Sequence, residues 1–122
     1  MHLVESSRKK CAFLAEVVRQ TEAPVDIHAM RIEELAESAH RLQPDVVSAR
    51  ALAPLPRLLD LASPFFGPDT RGLFLKGRDA ETEIEAARAG WDFTARLHPS
   101  LTASDSHIVE VTALRPRGKG AA

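Results

Sequence analysis

The chain has no tyrosine and a single cysteine, Cys11. A lone cysteine excludes an internal disulfide and agrees with a cytosolic home. The six glycines are scattered, at 67, 72, 77, 90, 118 and 120, so no glycine-rich loop of the Walker or dinucleotide type is present. No G-x-S-x-G nucleophile elbow occurs either. No apolar run approaches the roughly 20 residues that a membrane-spanning helix needs. The N-terminus lacks the apolar core and small-residue cleavage site of a secretory signal. The net charge of -1 excludes capture of nucleic acid by bulk charge, so any contact with phosphates must come from local clusters. With no tyrosine, and with the phenylalanines expected in strand and helix cores, no aromatic platform for stacking bases stands out. The five histidines (His2, His28, His40, His98 and His107) form no i, i+4 pair and have no cysteine at ligand spacing. A zinc site is not expected from them.

What is present is an alternation. The 122 residues suffice for one ordinary domain and not for two. Residues 2–5 read as a short strand, and Ser6 or Ser7 can cap the helix that follows. Cys11, Leu14, Val17 and Val18 fall at helical spacing, which puts Cys11 in the core, and Pro24 stops that helix. "VDIHA" alternates as a strand, and "MRIEELAESAH" reads as a short helix. "PDVVSAR" is an apolar strand of the kind buried on both faces. "LPRLLDLASPF" is a helix closed by Pro64, and "RGLFLKG" is a second buried-looking strand. "DAETEIEAARAG" is a helix with its acids at the start and Gly90 at the end. "WDFTARLH" and "SHIVEVTAL" follow with only a loop between them and read as an antiparallel hairpin, with Trp91 packing against the last helix. Strands and helices thus alternate four times before two consecutive strands. That pattern predicts an α/β fold with a largely parallel sheet and helices on both faces. The domain is expected over 1–114. The segment 115–122, "RPRGKGAA", reads as a basic, poorly ordered tail.

Several side chains sit where chemistry is usually done. Glu5 ends the first strand, where a carboxylate can accept hydrogen bonds from both hydroxyls of a ribose. It is as readily an exposed acid favoured by the helix dipole. Arg50 ends the third strand of the chain, at the mouth of a parallel sheet. It could grip a carboxylate, a phosphate or a guanine edge bidentately, or hold two loops together as an ion pair. Lys76 ends the next strand and points toward the same crevice, for an RNA phosphate or a base, with a solvated lysine as the plain alternative. Arg8, Lys9 and Lys10 oppose the helix dipole in a first turn, which suits an anion such as RNA. Their stems could equally cover apolar surface while the heads stay in water. Arg115, Arg117 and Lys119 could strap a phosphate, or be a solvated tail. From spacing alone, Ile32 belongs to a helix core and Glu33 to water.

Five segments occur here in one order: "LVESSRKKCAFL", "RIEEL", "DVVSARALAPLPRLL", "GLFLKG" and "LHPSLT". Together they resemble the bacterial 16S ribosomal RNA guanine-N7 methyltransferase family, RsmG, also called glucose-inhibited division protein B. The resemblance runs from His2 to about Leu114. It implies a Rossmann-like methyltransferase sheet ending in an antiparallel hairpin, and S-adenosylmethionine as cofactor. It implies a cofactor site that includes Glu5 on the ribose, Ile32 and Glu33 at the adenine, and Arg50. The RNA side would be Lys76 with Arg8, Lys9 and Lys10, and the partner 16S rRNA or the small ribosomal subunit. A monomer without metal or membrane attachment is implied. The family's glycine-rich loop, of the type D-x-G-S/T-G-x-G-x-P-G after its first strand, is not among these 122 residues. The segment therefore resembles the C-terminal portion of such an enzyme. The family's first strand lies between its second and fourth, so its absence leaves two open edges. The chain by itself is expected to be poorly stable.

Guanine N7 carries a free lone pair and no proton, so methyl transfer to it asks for alignment and exclusion of water and for no general base. No catalytic residue is assigned for that reason. Three other readings stay open: an inactive truncated remnant, a different Rossmann-like enzyme using a nicotinamide cofactor, and a non-enzymatic RNA-binding module built on "SRKK" and the tail.

Overall fold

The computed structural model describes residues 1–38, 42–50, 53–99 and 105–117. The chain forms two compact units, Met1–Ala39 and His40–Ala122.

In the first unit, strand β1 (His2–Val4) leads into helix α1 (Arg8–Thr21), strand β2 (Asp26–His28) and a single helical turn, α2 (Ile32–Leu35), followed by a 3-10 turn, Ala36–Ser38. β1 and β2 pair in parallel, with His2 opposite Asp26 and Val4 opposite His28. α1 begins where Ser7 takes an extended backbone and its hydroxyl accepts from the Lys10 N–H. It ends at Glu22, whose left-handed backbone returns an N–H to the Val18 carbonyl. Cys11, Leu14 and Val18 are half-buried along one stripe, but no residue of α1 is fully buried. Phe13 lies 69% exposed, contrary to the expectation that every phenylalanine is a core residue. Of the helix expected over 30–40, the structure describes an α-helical turn, Ile32–Leu35, and a 3-10 turn, Ala36–Ser38, while residues 39 and 40 lie outside the described residues. Arg31 at its cap supplies no side-chain acceptor, and one turn gains too few hydrogen bonds to propagate unaided.

In the second unit the order is β3 (Val46–Arg50), α3 (Leu55–Ala62), a 3-10 turn (Ser63–Phe65), β4 (Arg71–Lys76), α4 (Ala80–Ala87), β5 (Trp91–Pro99) and β6 (His107–Pro116). The sheet runs β3-β4-β6-β5, with β3 and β4 parallel and β6 antiparallel to both its neighbours. Leu55, Leu58, Leu59 and Ala62 of α3 form one cluster with Ala80, Ile84 and Ala87 of α4. Phe74, Phe93, Val109 and Val111 meet them from the sheet. Gly72 lets this layer close: a Cβ there would lie 2.7 Å from the Phe74 ring and 2.8 Å from that of Phe66.

On the opposite face Val46 is 50% exposed and Leu75 43% exposed, where the apolar runs of β3 and β4 suggest burial on both faces. Trp91 packs against the cluster to which α4 contributes Ala80, Ile84 and Ala87, and its indole N–H donates to Asp60 of α3 at 3.0 Å. Arg115 and Pro116, read as tail, are residues of β6 paired with Asp92 and Trp91. Arg117 meets Asp92 at 3.3 Å, while Lys119 lies outside the described residues. β1 and β3 stand in separate sheets, each with a strand neighbour on one side only among the described residues.

Candidate functional site

In the first unit the parallel pairing brings the carboxyl ends of β1 and β2 to one edge. The Glu5 N–H continues the ladder by donating to the His28 carbonyl at 3.1 Å. Its side chain then turns to the start of α1. Oε2 accepts from the Ser7 N–H at 3.0 Å, and Oε1 lies 3.9 Å from the Lys10 ammonium. The Ser7 bond, aided by Lys10, holds the Glu5 carboxyl below its ordinary range, so it is ionised at neutral pH. Each carboxylate oxygen has two acceptor sites, so capacity remains for hydroxyl donors. Ile32, half-buried, and Glu33, exposed, open α2 just beyond the end of β2. Arg8 and Lys9 are exposed, while Lys10 faces Glu5, whose carboxylate offsets part of the unfavourable positive charge at this helix start. The Cys11 thiol donates to the Glu5 carbonyl at 3.2 Å, tying the helix back to the strand end.

In the second unit Arg50 pairs with Leu75 at the carboxyl edge of the parallel strands. Its side chain is exposed and makes no ion pair among the described residues. Lys76, one position further on, behaves differently. Its side chain is only 8% exposed, and its ammonium lies 3.0 Å from Glu83 and also donates to the Ala53 carbonyl. The charge expected to face RNA is thus engaged inside the unit. Strand position alone could not reveal this, because Glu83 arrives from α4.

Two further arrangements escaped the sequence. His2 Nδ1 and His28 Nε2 lie 3.0 Å apart, brought together by strand pairing and not by helical spacing. Among the described residues no group of three or more side chains is placed to hold a metal ion. On the sheet, Glu110 of β6 sits between Arg71 of β4, at 3.1 Å, and His98 of β5, at 2.8 Å. The His98 hydrogen bond, with Arg71 and Arg96 nearby, keeps the Glu110 carboxyl below its usual range. A carboxylate depressed in the folded state stabilises it above the ordinary carboxylate range. That stabilisation is lost as pH falls through and below the ordinary carboxylate range. Replacing Glu110 by Gln is therefore expected to flatten the acid limb of stability against pH, measured by urea unfolding at several pH values. Parallel acid limbs in the two proteins would contradict the assignment.

A profile of the GidB family, described as rRNA small subunit methyltransferase G, matches residues 1–109. The ribosomal RNA small subunit methyltransferase G of Parvibaculum lavamentivorans is 49% identical over 114 residues, covering 93% of this chain and 50% of that protein. The protein of the same name from Methylorubrum populi is 51% identical over 114 residues, covering 93% of this chain and 53% of its own. The chain spans about half the length of the curated relatives it matches. Among solved structures, a chain of the fibrillarin/Nop5p complex superposes with a TM-score of 0.69 at 14% identity, over 91% of this chain and 59% of that one. The putative methyltransferase yhhF from Escherichia coli does so with a TM-score of 0.56 at 11% identity, over 92% and 64%. At such identities the likeness is one of fold: a Rossmann-like α/β arrangement closing on an antiparallel hairpin.

Proposed function

Because the chain belongs to the GidB family of small-subunit ribosomal RNA methyltransferases, we propose that it is the acceptor-side and adenosine-side portion of an enzyme that moves a methyl group from S-adenosylmethionine to N7 of a guanine in 16S rRNA. The observation that carries this reading is the family match over residues 1–109, within which Glu5 stands ionised at a strand end. In it, Glu5 takes the ribose hydroxyls of the cofactor, Ile32 gives the adenine an apolar wall, and Glu33 lies near its amino group. Arg50 supplies a planar, always-charged fork at the carboxyl edge of β3 and β4. Arg8 and Lys9 are free to meet RNA phosphates. The partner is 16S rRNA or the small subunit, and the setting is the cytoplasm. No described helix is long and apolar enough to cross a membrane.

No side chain here needs to remove a proton, since the attacking nitrogen carries none. The protein's task is to align nucleophile, methyl and sulfur and to keep water out. A glycine-rich turn of the type D-x-G-S/T-G-x-G is not among these 122 residues. Methyl transfer is therefore ascribed to the chain acting together with such a segment. Calorimetry with S-adenosylmethionine tests this. The chain alone is expected to bind weakly or not at all, and the chain joined to the half of the Parvibaculum relative that it does not match to bind well. A folded fusion that binds no S-adenosylmethionine favours the inactive-remnant reading instead.

A further inference from the structure

We propose that Lys76 and Glu83 form a latch that fixes the segment following Arg50, which makes them positioning residues for methyl transfer and not RNA contacts. This rests on the methyl-transfer reading above. The residues lie on three elements of the second unit. Lys76 ends β4, Glu83 sits in α4, and the latch closes on Ala53 and Leu55, between Arg50 and the body of α3.

α3 starts badly on its own. Its cap residue is Pro54, which offers no side-chain acceptor, and no acid lies in its first turn. The backbone N–H groups of a first helical turn have no partner within the helix. Leu55 is fully buried, so its N–H cannot rely on water. Glu83 supplies the missing acceptor from another helix: its Oε1 takes the Leu55 N–H at 2.7 Å. A carboxylate at this position is also favoured by the helix dipole. That same oxygen lies 3.0 Å from the Lys76 ammonium. A carboxylate only 23% exposed needs such a counter-charge. Lys76 then spends a second donor on the Ala53 carbonyl, two residues before Leu55. The segment is held at a carbonyl and at an N–H by one ion pair.

The consequence is geometric. Arg50 leaves the sheet at the carboxyl edge of β3, and the chain is pinned again at Ala53. Only two residues separate Arg50 from Ala53 along the chain, so a pin at Ala53 limits by covalent reach how far the strand end can drift. Loss of either latch residue frees the start of α3 and the backbone that carries Arg50. Misplacement of this kind lowers turnover far from the reacting atoms.

The test uses the full chain joined to the half of a relative that it does not match, with Lys76→Met, Glu83→Ala, their double variant, and the milder Lys76→Arg and Glu83→Gln. Activity per folded molecule is measured with 16S rRNA in small subunits, and exchange of the Leu55 amide with deuterium is followed alongside. Lys76→Met and Glu83→Ala are each expected to lower kcat about tenfold, with the double variant no worse than the weaker single, as coupled residues behave. KM for RNA and its salt dependence stay as in the wild type, Leu55 exchange accelerates, and Lys76→Arg retains most activity. A Lys76→Met variant that raises KM and lowers the salt slope by about one, with Glu83→Ala fully active, overturns the latch in favour of a direct phosphate contact. Losses that vanish when corrected for folded fraction, read in the milder variants if the others do not fold, overturn it as well. A wild-type fusion that binds S-adenosylmethionine but methylates nothing is a different failure: it removes the methyl-transfer reading, and the positioning role with it.

Discussion

Replacing Phe74 by alanine is expected to cost about 3–5 kcal/mol, the usual toll for emptying a fully buried aromatic site. Phe74 has no exposed surface and stands on the covered face of β4. Val109 lies opposite it on β6 and Ala49 opposite it on β3, while α3 and α4 press on the same cluster. Little can collapse into the gap, because α3 and α4 each reach the sheet through that cluster. A domain of ordinary stability has about 5–15 kcal/mol in all, so the loss takes much of the margin. The neighbour Leu75 is the control. It points to the other face and is 43% exposed, so Leu75→Ala should cost under about 1 kcal/mol. Urea unfolding of both variants measures the difference. Equal costs would mean that the face carrying Leu75 is in fact covered, and that the layer assignment is wrong.

Replacing Arg50 by alanine is expected to lower kcat/KM for methyl transfer by about 10- to 100-fold, the value of one well-placed bidentate contact of about 1–3 kcal/mol. The side chain is exposed, so its removal should leave the urea midpoint nearly unchanged. That separates it from Phe74, whose removal acts on the fold. Arg50→Lys keeps the charge and loses the fork, so it should recover only part of the activity. The parameter that moves also identifies what Arg50 grips. A weaker S-adenosylmethionine affinity indicates the cofactor, whereas a raised KM for RNA indicates a phosphate or the guanine edge. Full activity in both variants would remove Arg50 from the site.

The order of elements was legible because local chemistry punctuates it. Pro24, Pro44 and Gly90 end or separate segments, Ser7 starts α1, and the acids Glu81 and Glu83 mark the start of α4. The strand-end positions of Glu5 and Arg50 followed directly from those boundaries. What depends on packing did not follow. "DVVSAR" and "GLFLKG" read as buried on both faces, since an apolar run does not say how many layers cover it. Phe13 read as core, yet it projects from the outer side of α1. Lys76 read as free because its partners, Glu83 and Ala53, are distant in sequence and meet it only when α4 and the start of α3 pack. The Glu110 cluster needed the strand register, which hydrophobic alternation alone does not supply. Sequence located the ends of the strands; only the fold showed which charges at those ends are already paired.

The most direct test of the central claim is to incubate the chain, joined to the half of a relative that it does not match, with small ribosomal subunits and methyl-labelled S-adenosylmethionine, then digest the 16S rRNA to nucleosides and identify the labelled one. The account predicts label in 7-methylguanosine, and none when the chain is used without the added half. Label in another nucleoside, or a fusion that binds the cofactor and leaves the RNA unlabelled, would contradict it.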